Sequence, residues 1–206
     1  MTHSLQIEGF GVRLRPVRME DAPFIVWARN LDHVKGRIGD SAPTRAAQEA
    51  WLKEYFDRVG DYYFIIETPG KIPVGTYGVY NVKGTIAESG RWVIRPDVLA
   101  AIPSAILAFD VAFGSLKITE LQVSTVSTNR TVLSLNRKFG FREIRTDKGA
   151  QTIGGQSVDL VHFLLEGKDW PSIREKLVPF AQVAALQVAE WEQTQRKAAQ
   201  PGEFTR

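Results

Sequence analysis

The order of secondary-structure signals predicts an α+β domain: a mixed, mostly antiparallel central sheet flanked by helices, with a C-terminal helical extension. Three observations carry this. Short β-branched and aromatic runs recur between Gly and Pro turn signals. Three of these runs follow one another with no helix between them, as in an antiparallel meander. Amphipathic segments then separate them from the later strands, which such a meander alone would not contain.

The elements follow in order. Residues 12–17 read as a strand, and Met19-Glu20-Asp21 opens a helix whose Phe24, Ile25, Trp27 and Ala28 share a face. Residues 31–43 are loop-like. Thr44 suits an N-cap for a helix over 45–59, with Ala47, Trp51, Leu52, Tyr55 and Phe56 at helical spacing. Strands are expected at 62–68, 74–82 and 87–94, separated by Pro69-Gly70 and Lys83-Gly84-Thr85. Pro103 suits the first residue of a helix reaching about Ser115, because proline has no amide hydrogen to lose there. A strand over 118–127 and a helix over 129–139, closed by Gly140, come next. Strands at 141–145 and 158–165 are joined through Gly154-Gly155. This gives a domain over 1–168 and an extension over 169–206, helical over 172–199 and interrupted at Pro179. Ile173, Leu177, Phe180, Val183, Leu186 and Trp191 form an apolar stripe on that extension. The stripe suits packing on its own domain, and a homodimer contact is the other use it allows.

Composition narrows the function. The chain has 206 residues, 44% hydrophobic and 24% charged, within the range of globular proteins. It has no cysteine, which excludes disulfide scaffolds, thiol nucleophiles and thiolate metal sites. No apolar run approaches a membrane span, and no basic segment followed by an apolar stretch opens the chain, so a cytoplasmic protein is expected. Residues 129–148 carry Arg130, Arg137, Lys138, Arg142, Arg145 and Lys148 against Glu143 and Asp147, a net +4 in a chain of only +3. A compact basic segment in an otherwise neutral chain suits one anionic ligand better than a nucleic-acid track. The three histidines, at 3, 33 and 162, lack metal-site spacing, so no metal is expected. His162 alternates with Leu160 and Leu164 on a strand and reads as structural.

The run Asn129-Arg130-Thr131-Val132-Leu133-Ser134-Leu135-Asn136-Arg137-Lys138-Phe139-Gly140-Phe141 closely resembles the signature of the GNAT superfamily, the Gcn5-related N-acetyltransferases. Leu14-Arg15-Pro16-Val17-Arg18, Glu20-Asp21-Ala22 and the segment from Trp27 to Asn30 resemble that superfamily's opening, and residues 87–94 its fourth strand. The match runs in order over residues 12 to about 165, nearest the ribosomal-protein and amino-sugar N-acetyltransferase branch.

The resemblance implies acetyl-CoA as co-substrate and direct attack by a primary amine, on a small molecule such as a nucleotide-linked amino sugar. A ribosomal-type protein N-terminus, or a binding module without catalysis, is the alternative. Pantetheine would bond as a pseudo-strand to Val93, Ile94 and Arg95. The pyrophosphate would meet the amides of Val98, Leu99, Ala100, Ala101, Ile102 and Ser104 at a helix N-terminus. Asn129 would reach the cofactor's amide arm, Arg137 and Lys138 its phosphates. Asn136 stands where many members have a tyrosine, leaving Ser134 or a water as proton donor, with Glu88 as base. Trp27, Arg29, Asn30 and Arg37 would shape the acceptor side. Val98 occupies the place of the family loop's first glycine. A β-branched residue resists positive φ, so the turn is expected to shift toward Ala100 and Ala101, and Val98→Gly to tighten CoA.

Overall fold

The computed structural model describes residues 3–34 and 42–199. Its eight strands are β1 (Ile7–Gly9), β2 (Val12–Pro16), β3 (Tyr62–Glu67), β4 (Pro73–Lys83), β5 (Ile86–Ile94), β6 (Glu120–Val126), β7 (Arg142–Ile153) and β8 (Gln156–Glu166). They form one sheet in the order β1-β2-β3-β4-β5-β6-β8-β7, antiparallel throughout except between β5 and β6. The helices are α1 (Ala22–Arg29), α2 (Arg45–Tyr55), α3 (Ala101–Phe109), α4 (Arg130–Lys138) and α5 (Trp170–Ala199). The expected α+β architecture is therefore present.

β3 shows why the domain has three layers. Residues Tyr63 to Glu67 are all buried, as in a strand covered on both faces. Tyr63 and Ile65 pack with Val17, Ile25, Leu52 and Tyr55 under α1 and α2. Phe64 and Ile66 point the other way, into the core shared with α3 and α5. Thr44 caps α2 by accepting the Ala47 amide at 3.2 Å, and Gly140 ends α4 at φ +84°.

A buried ionic network ties β2 to β3. Glu67 accepts from Arg13 and Arg15, and Arg15 also donates to both oxygens of Asp21, at 2.8 and 2.7 Å. Burial alone would raise the Glu67 pKa, but the two guanidinium groups outweigh it and hold it below the ordinary value. A carboxylate depressed in the native state stabilises the fold above its unfolded pKa, and that contribution is lost as pH falls through the folded value. The melting temperature should accordingly fall below about pH 4.3. Glu67→Gln, less stable at pH 7, should show a shallower fall; equal acid slopes in the two proteins would remove Glu67 from this role.

Several expectations change. β1 was not anticipated: it is three residues long and pairs antiparallel with β2. α3 begins at Ala101, so Pro103 is its third residue rather than its first; the first intrahelical bond runs from the Ser104 amide to the Ala100 carbonyl, and Pro103 still costs none. The stretch 110–115 widens into a π-turn, and β7 extends eight residues beyond the expected end at 145. α5 runs unbroken through Pro179. On α5, Leu177, Ala181, Ala184 and Val188 are buried, whereas Phe180, Val183 and Leu186 face solvent. Close approach explains the choice of small residues, since Ala185 lies against Gly11 of the β1–β2 turn. No helix is long and apolar enough to cross a membrane among the described residues.

Candidate active site

β5 and β6 pair only over Ile86–Glu120, Ala87–Leu121 and Glu88–Gln122, and then diverge. From Ser89 onward one edge of β5 has no partner strand among the described residues, a natural berth for an extended ligand. The Arg95 amide donates to the Val74 carbonyl at 2.9 Å, so alternation turns Val93 and Arg95 toward β4. Trp92 and Ile94 face the open edge, where a His33 ring nitrogen already donates to the Ile94 carbonyl at 3.2 Å. Of the three expected backbone partners, only Ile94 therefore faces the gap, and Trp92 joins it.

The gap leads into a cavity of about 360 Å³ between the diverging strands and α4. Asn129, Val132, Asn136 and Phe139 line it from α4 and its caps. The Asn129 side chain caps α4 by accepting the Val132 amide at 3.4 Å, and Asn136 donates to Thr125 Oγ1 at 3.2 Å. Tyr77 lines the cavity wall, donating to Ser89 Oγ at 2.9 Å; burial pushes its pKa up, so the hydroxyl holds its proton. Tyr80 is displaced the same way, by burial first and Glu88 second.

At the phosphate end Val98 has no positive φ, as its β-branched side chain predicts, and that side chain is 4% exposed within the main core beside Ala100. The turn itself lies at 96–97 rather than at Ala100 and Ala101, and Ala100 is the N-cap of α3. Glycine at 98 would remove a core side chain, so the expected gain in CoA affinity does not follow. Leu99 is exposed, Ala101 and Ile102 half-buried, and Ser104 buried, with its hydroxyl accepting from Trp92 Nε1 at 3.3 Å. Arg95 bridges to Asp97 at 3.0 Å and lies between the rings of Trp27 and Trp191, 5.1 and 5.0 Å from them. The basic cluster is largely paired on the surface: Arg137 with Glu143, Arg142 with Glu166, Arg145 with Asp147, Lys148 with Asp159. Arg137 and Lys138 are exposed and do not line the cavity.

On the acceptor side only Arg29 lines the cavity. Trp27 stacks on Arg95, Asn30 donates to the Val26 carbonyl at 2.8 Å, and Arg37 lies outside the described residues. Arg29 and Arg91 also border a second cavity of about 270 Å³, with Gln48, Trp51, Arg58 and Tyr63. Arg91 donates to Asp61 at 2.5 and 2.9 Å and stacks on Trp51, Tyr63 and Tyr80. Burial opposes its charge, but Asp61 outweighs burial and raises its pKa. Arg29 is shifted down, by burial first, with Arg91 adding repulsion. A guanidinium remains charged through such shifts. Among the described residues Arg29, Arg58 and Arg91 thus converge on this chamber, with Asp61 held by Arg91 and 3.8 Å from Arg58.

Two expected catalytic residues lie elsewhere. Glu88 accepts from Asn81 Nδ2 at 3.0 Å, where β5 and β6 are still paired, and does not line the cavity. Ser134 is exposed on α4, two residues past Val132 and so turned well away from the cavity face. Residues that sequence reasoning missed are Tyr77, Tyr80, Arg91, Ser124 and Gln151, all lining the cavity. Arg91 carries a signal in its φ of +51°, at a register shift between β4 and β5, but only the structure shows it.

Comparison with known proteins agrees with this geometry. The family model described as "Acetyltransferase (GNAT) domain" matches residues 12–142. None of the curated proteins matches the chain. Among solved structures, a GCN5-related N-acetyltransferase from Brucella melitensis superposes with a TM-score of 0.74 at 17% identity, covering 87% of this chain and 86% of that one. Apo FdhC, described as a nucleotide-linked sugar GNAT, gives 0.71 at 22% identity, covering 88% and 99%. Spermidine N-acetyltransferase from Vibrio cholerae in complex with CoA and spermine gives 0.72 at 17%, covering 79% and 99%. These identities speak to the fold. With more than half of its length matched by the family model and its sheet split between β5 and β6, this chain belongs to the GNAT acetyltransferase family.

Proposed function

We propose that this acetyltransferase moves an acetyl group from acetyl-CoA to the primary amine of a small anionic molecule, such as a nucleotide-linked amino sugar. The observation that carries the reading is the chamber beside the cavity on which the guanidinium groups of Arg29, Arg58 and Arg91 converge, Asp61 bridging to Arg58 and Arg91. A phosphate or carboxylate there would place the amine of the same molecule in the adjoining cavity, which shares Arg29 and Arg91. A polyamine such as spermidine would instead bring like charge against three guanidinium groups, a costly juxtaposition.

Acetyl-CoA would enter along the open edge of β5 beside Trp92 and Ile94. Its diphosphate would approach the free amides at the start of α3, including those of Ala101 and Ile102. The side chains lining the cavity then position amine and thioester in one ternary complex. The exposed row Phe180, Val183 and Leu186 on α5 is where the homodimer contact anticipated from the sequence would lie.

The test is thiol release from acetyl-CoA with three amines: a nucleotide-linked amino sugar, spermidine, and a peptide with a free N-terminus. The amino sugar should exceed spermidine in kcat/KM by on the order of 100-fold. Preference for spermidine or for the peptide would overturn the anionic assignment.

A further inference from the structure

Acetyl transfer to an amine requires that the acceptor ammonium first lose a proton, and the main cavity offers few groups to take it. Arg29 and Arg91 cannot, and the hydroxyls of buried Tyr77 and half-buried Tyr80, both with raised pKa, hold their own. The other polar lining side chains are hydroxyls and amides; no carboxylate or imidazole lines the cavity among the described residues.

One lining hydroxyl is connected to an imidazole. Ser124 on β6 lies opposite His162 on β8 in the antiparallel ladder, with Ser124 Oγ 2.9 Å from His162 Nδ1. On its far side His162 Nε2 is 3.0 Å from Asp147 Oδ2, across the next ladder on β7. The three side chains thus line up across three adjacent strands, from the cavity outward. A carboxylate only accepts, so neutral His162 makes both bonds in one tautomer alone: Nε2 carries the hydrogen and donates to Asp147, and the Nδ1 lone pair accepts from Ser124. That is the form in which an imidazole can draw a proton from a hydroxyl. Burial would raise the Asp147 pKa, but Arg145, donating to both of its oxygens, and His162 outweigh that and hold it low.

We propose that Ser124 takes the acceptor's ammonium proton and relays its own to His162, with Asp147 as the positioning residue; this rests on the acetyl-transfer reading above. One N–H bond of the ammonium breaks, its electron pair stays on nitrogen, and the proton bonds to Ser124 Oγ. The Ser124 O–H bond breaks in the same relay and its proton bonds to His162 Nδ1. The imidazolium is balanced by the Asp147 carboxylate, and the freed nitrogen lone pair attacks the thioester carbonyl carbon. The C–S bond then breaks with its electron pair on sulfur, and the thiolate takes up the second proton shed by the nitrogen, leaving the amide and the free thiol of CoA. His162, whose side chain is 16% exposed, returns the proton to solvent. The charged groups facing His162 are Arg145 and Asp147 from β7; Lys148 next to them is bound to Asp159, and β6 contributes the Ser124 hydroxyl.

The experiment compares wild type with Ser124→Ala, His162→Gln and Asp147→Asn. Each is measured for melting temperature, acetyl-CoA affinity by calorimetry, and kcat/KM against pH with whichever of the three amines turns over. Ser124→Ala and His162→Gln should lose on the order of 10²–10⁴ in kcat, with melting temperature and acetyl-CoA affinity near wild type. Their residual rate should climb steadily with pH as solution supplies the free amine, and the acid limb of the wild-type profile should disappear. Asp147→Asn should lose less and keep a displaced limb. Wild-type rates and profiles in Ser124→Ala and His162→Gln would overturn the relay while leaving acetyl transfer standing. So would an acetyl group found on Ser124 by mass spectrometry, because the hydroxyl would then be a nucleophile. Failure of the wild type to bind acetyl-CoA or to turn over any of the amines would overturn the acetyl-transfer reading itself, and the relay with it.

Discussion

Replacing Arg91 by methionine should cost about 3–5 kcal/mol of stability, as removal of one member of a buried ion pair does. Asp61, 7% exposed, would lose both hydrogen bonds from Arg91 and keep, among the described residues, the ion pair with Arg58, 3.8 Å away. Tyr63 and Tyr80 would lose their cation at the same time, whereas Trp51 keeps Arg58 over its ring at 5.0 Å. The double variant Asp61→Leu/Arg91→Met should regain most of that stability, because no buried charge is left uncompensated. It should not regain acceptor binding, because Arg91 borders both cavities. Urea denaturation together with the acceptor KM separates the two effects. A single Arg91→Met variant within 1 kcal/mol of wild type would show that the pair contributes little to either.

Phe109→Ala should be comparably severe, about 3–5 kcal/mol, by transfer and cavity terms together. Phe109 is 3% exposed, and its ring meets Tyr77 on β4, Phe139 at the end of α4, Phe141 ahead of β7 and Trp170 at the start of α5, at 6.4, 5.9, 5.6 and 5.2 Å. It joins the sheet to three helices and also lines the main cavity. An alanine there opens a void next to the cleft, so acetyl-CoA affinity should fall along with stability. Phe109→Leu should recover part of both. Denaturation with both variants checks the order, and an alanine variant as stable as the leucine one would contradict it.

The alternation of strands and helices was legible because local signals agree with the packing that surrounds them. Thr44, Gly140 and the Gly154-Gly155 turn, both of whose glycines have positive φ, do in the structure what their chemistry suggests. Half of the stripe on α5, Ile173, Leu177 and Trp191, packs on the domain's own core, whereas Phe180, Val183 and Leu186 lie outside and Ala181, Ala184 and Val188 are buried in their place. Glu88 and Ser134 misled for a geometric reason: the strands part only after Glu88, and Ser134 lies off the α4 face that lines the cavity. Part of the Ser124–His162–Asp147 line was within reach of sequence reasoning. The register next to the turn, Ile153 to Gln156, carried unbroken along the hairpin, would set Asp147 opposite His162. A bulge shifts the backbone pairing, so that Asp147 faces Leu160, yet the side chains still meet. Ser124 was out of reach, because β6 and β8 are brought together by the fold and not by a turn.

On the acetyl-transfer reading, acetyl-CoA occupies the gap between β5 and β6. Hydrogen–deuterium exchange with and without acetyl-CoA tests it most directly, since a pseudo-strand must cover amides that have no strand partner. Slower exchange should be concentrated in residues 89–94 and 123–126, with a second zone at 99–102 where the diphosphate meets α3. Protection elsewhere with none in 89–94, or no protection at saturating acetyl-CoA, would contradict it.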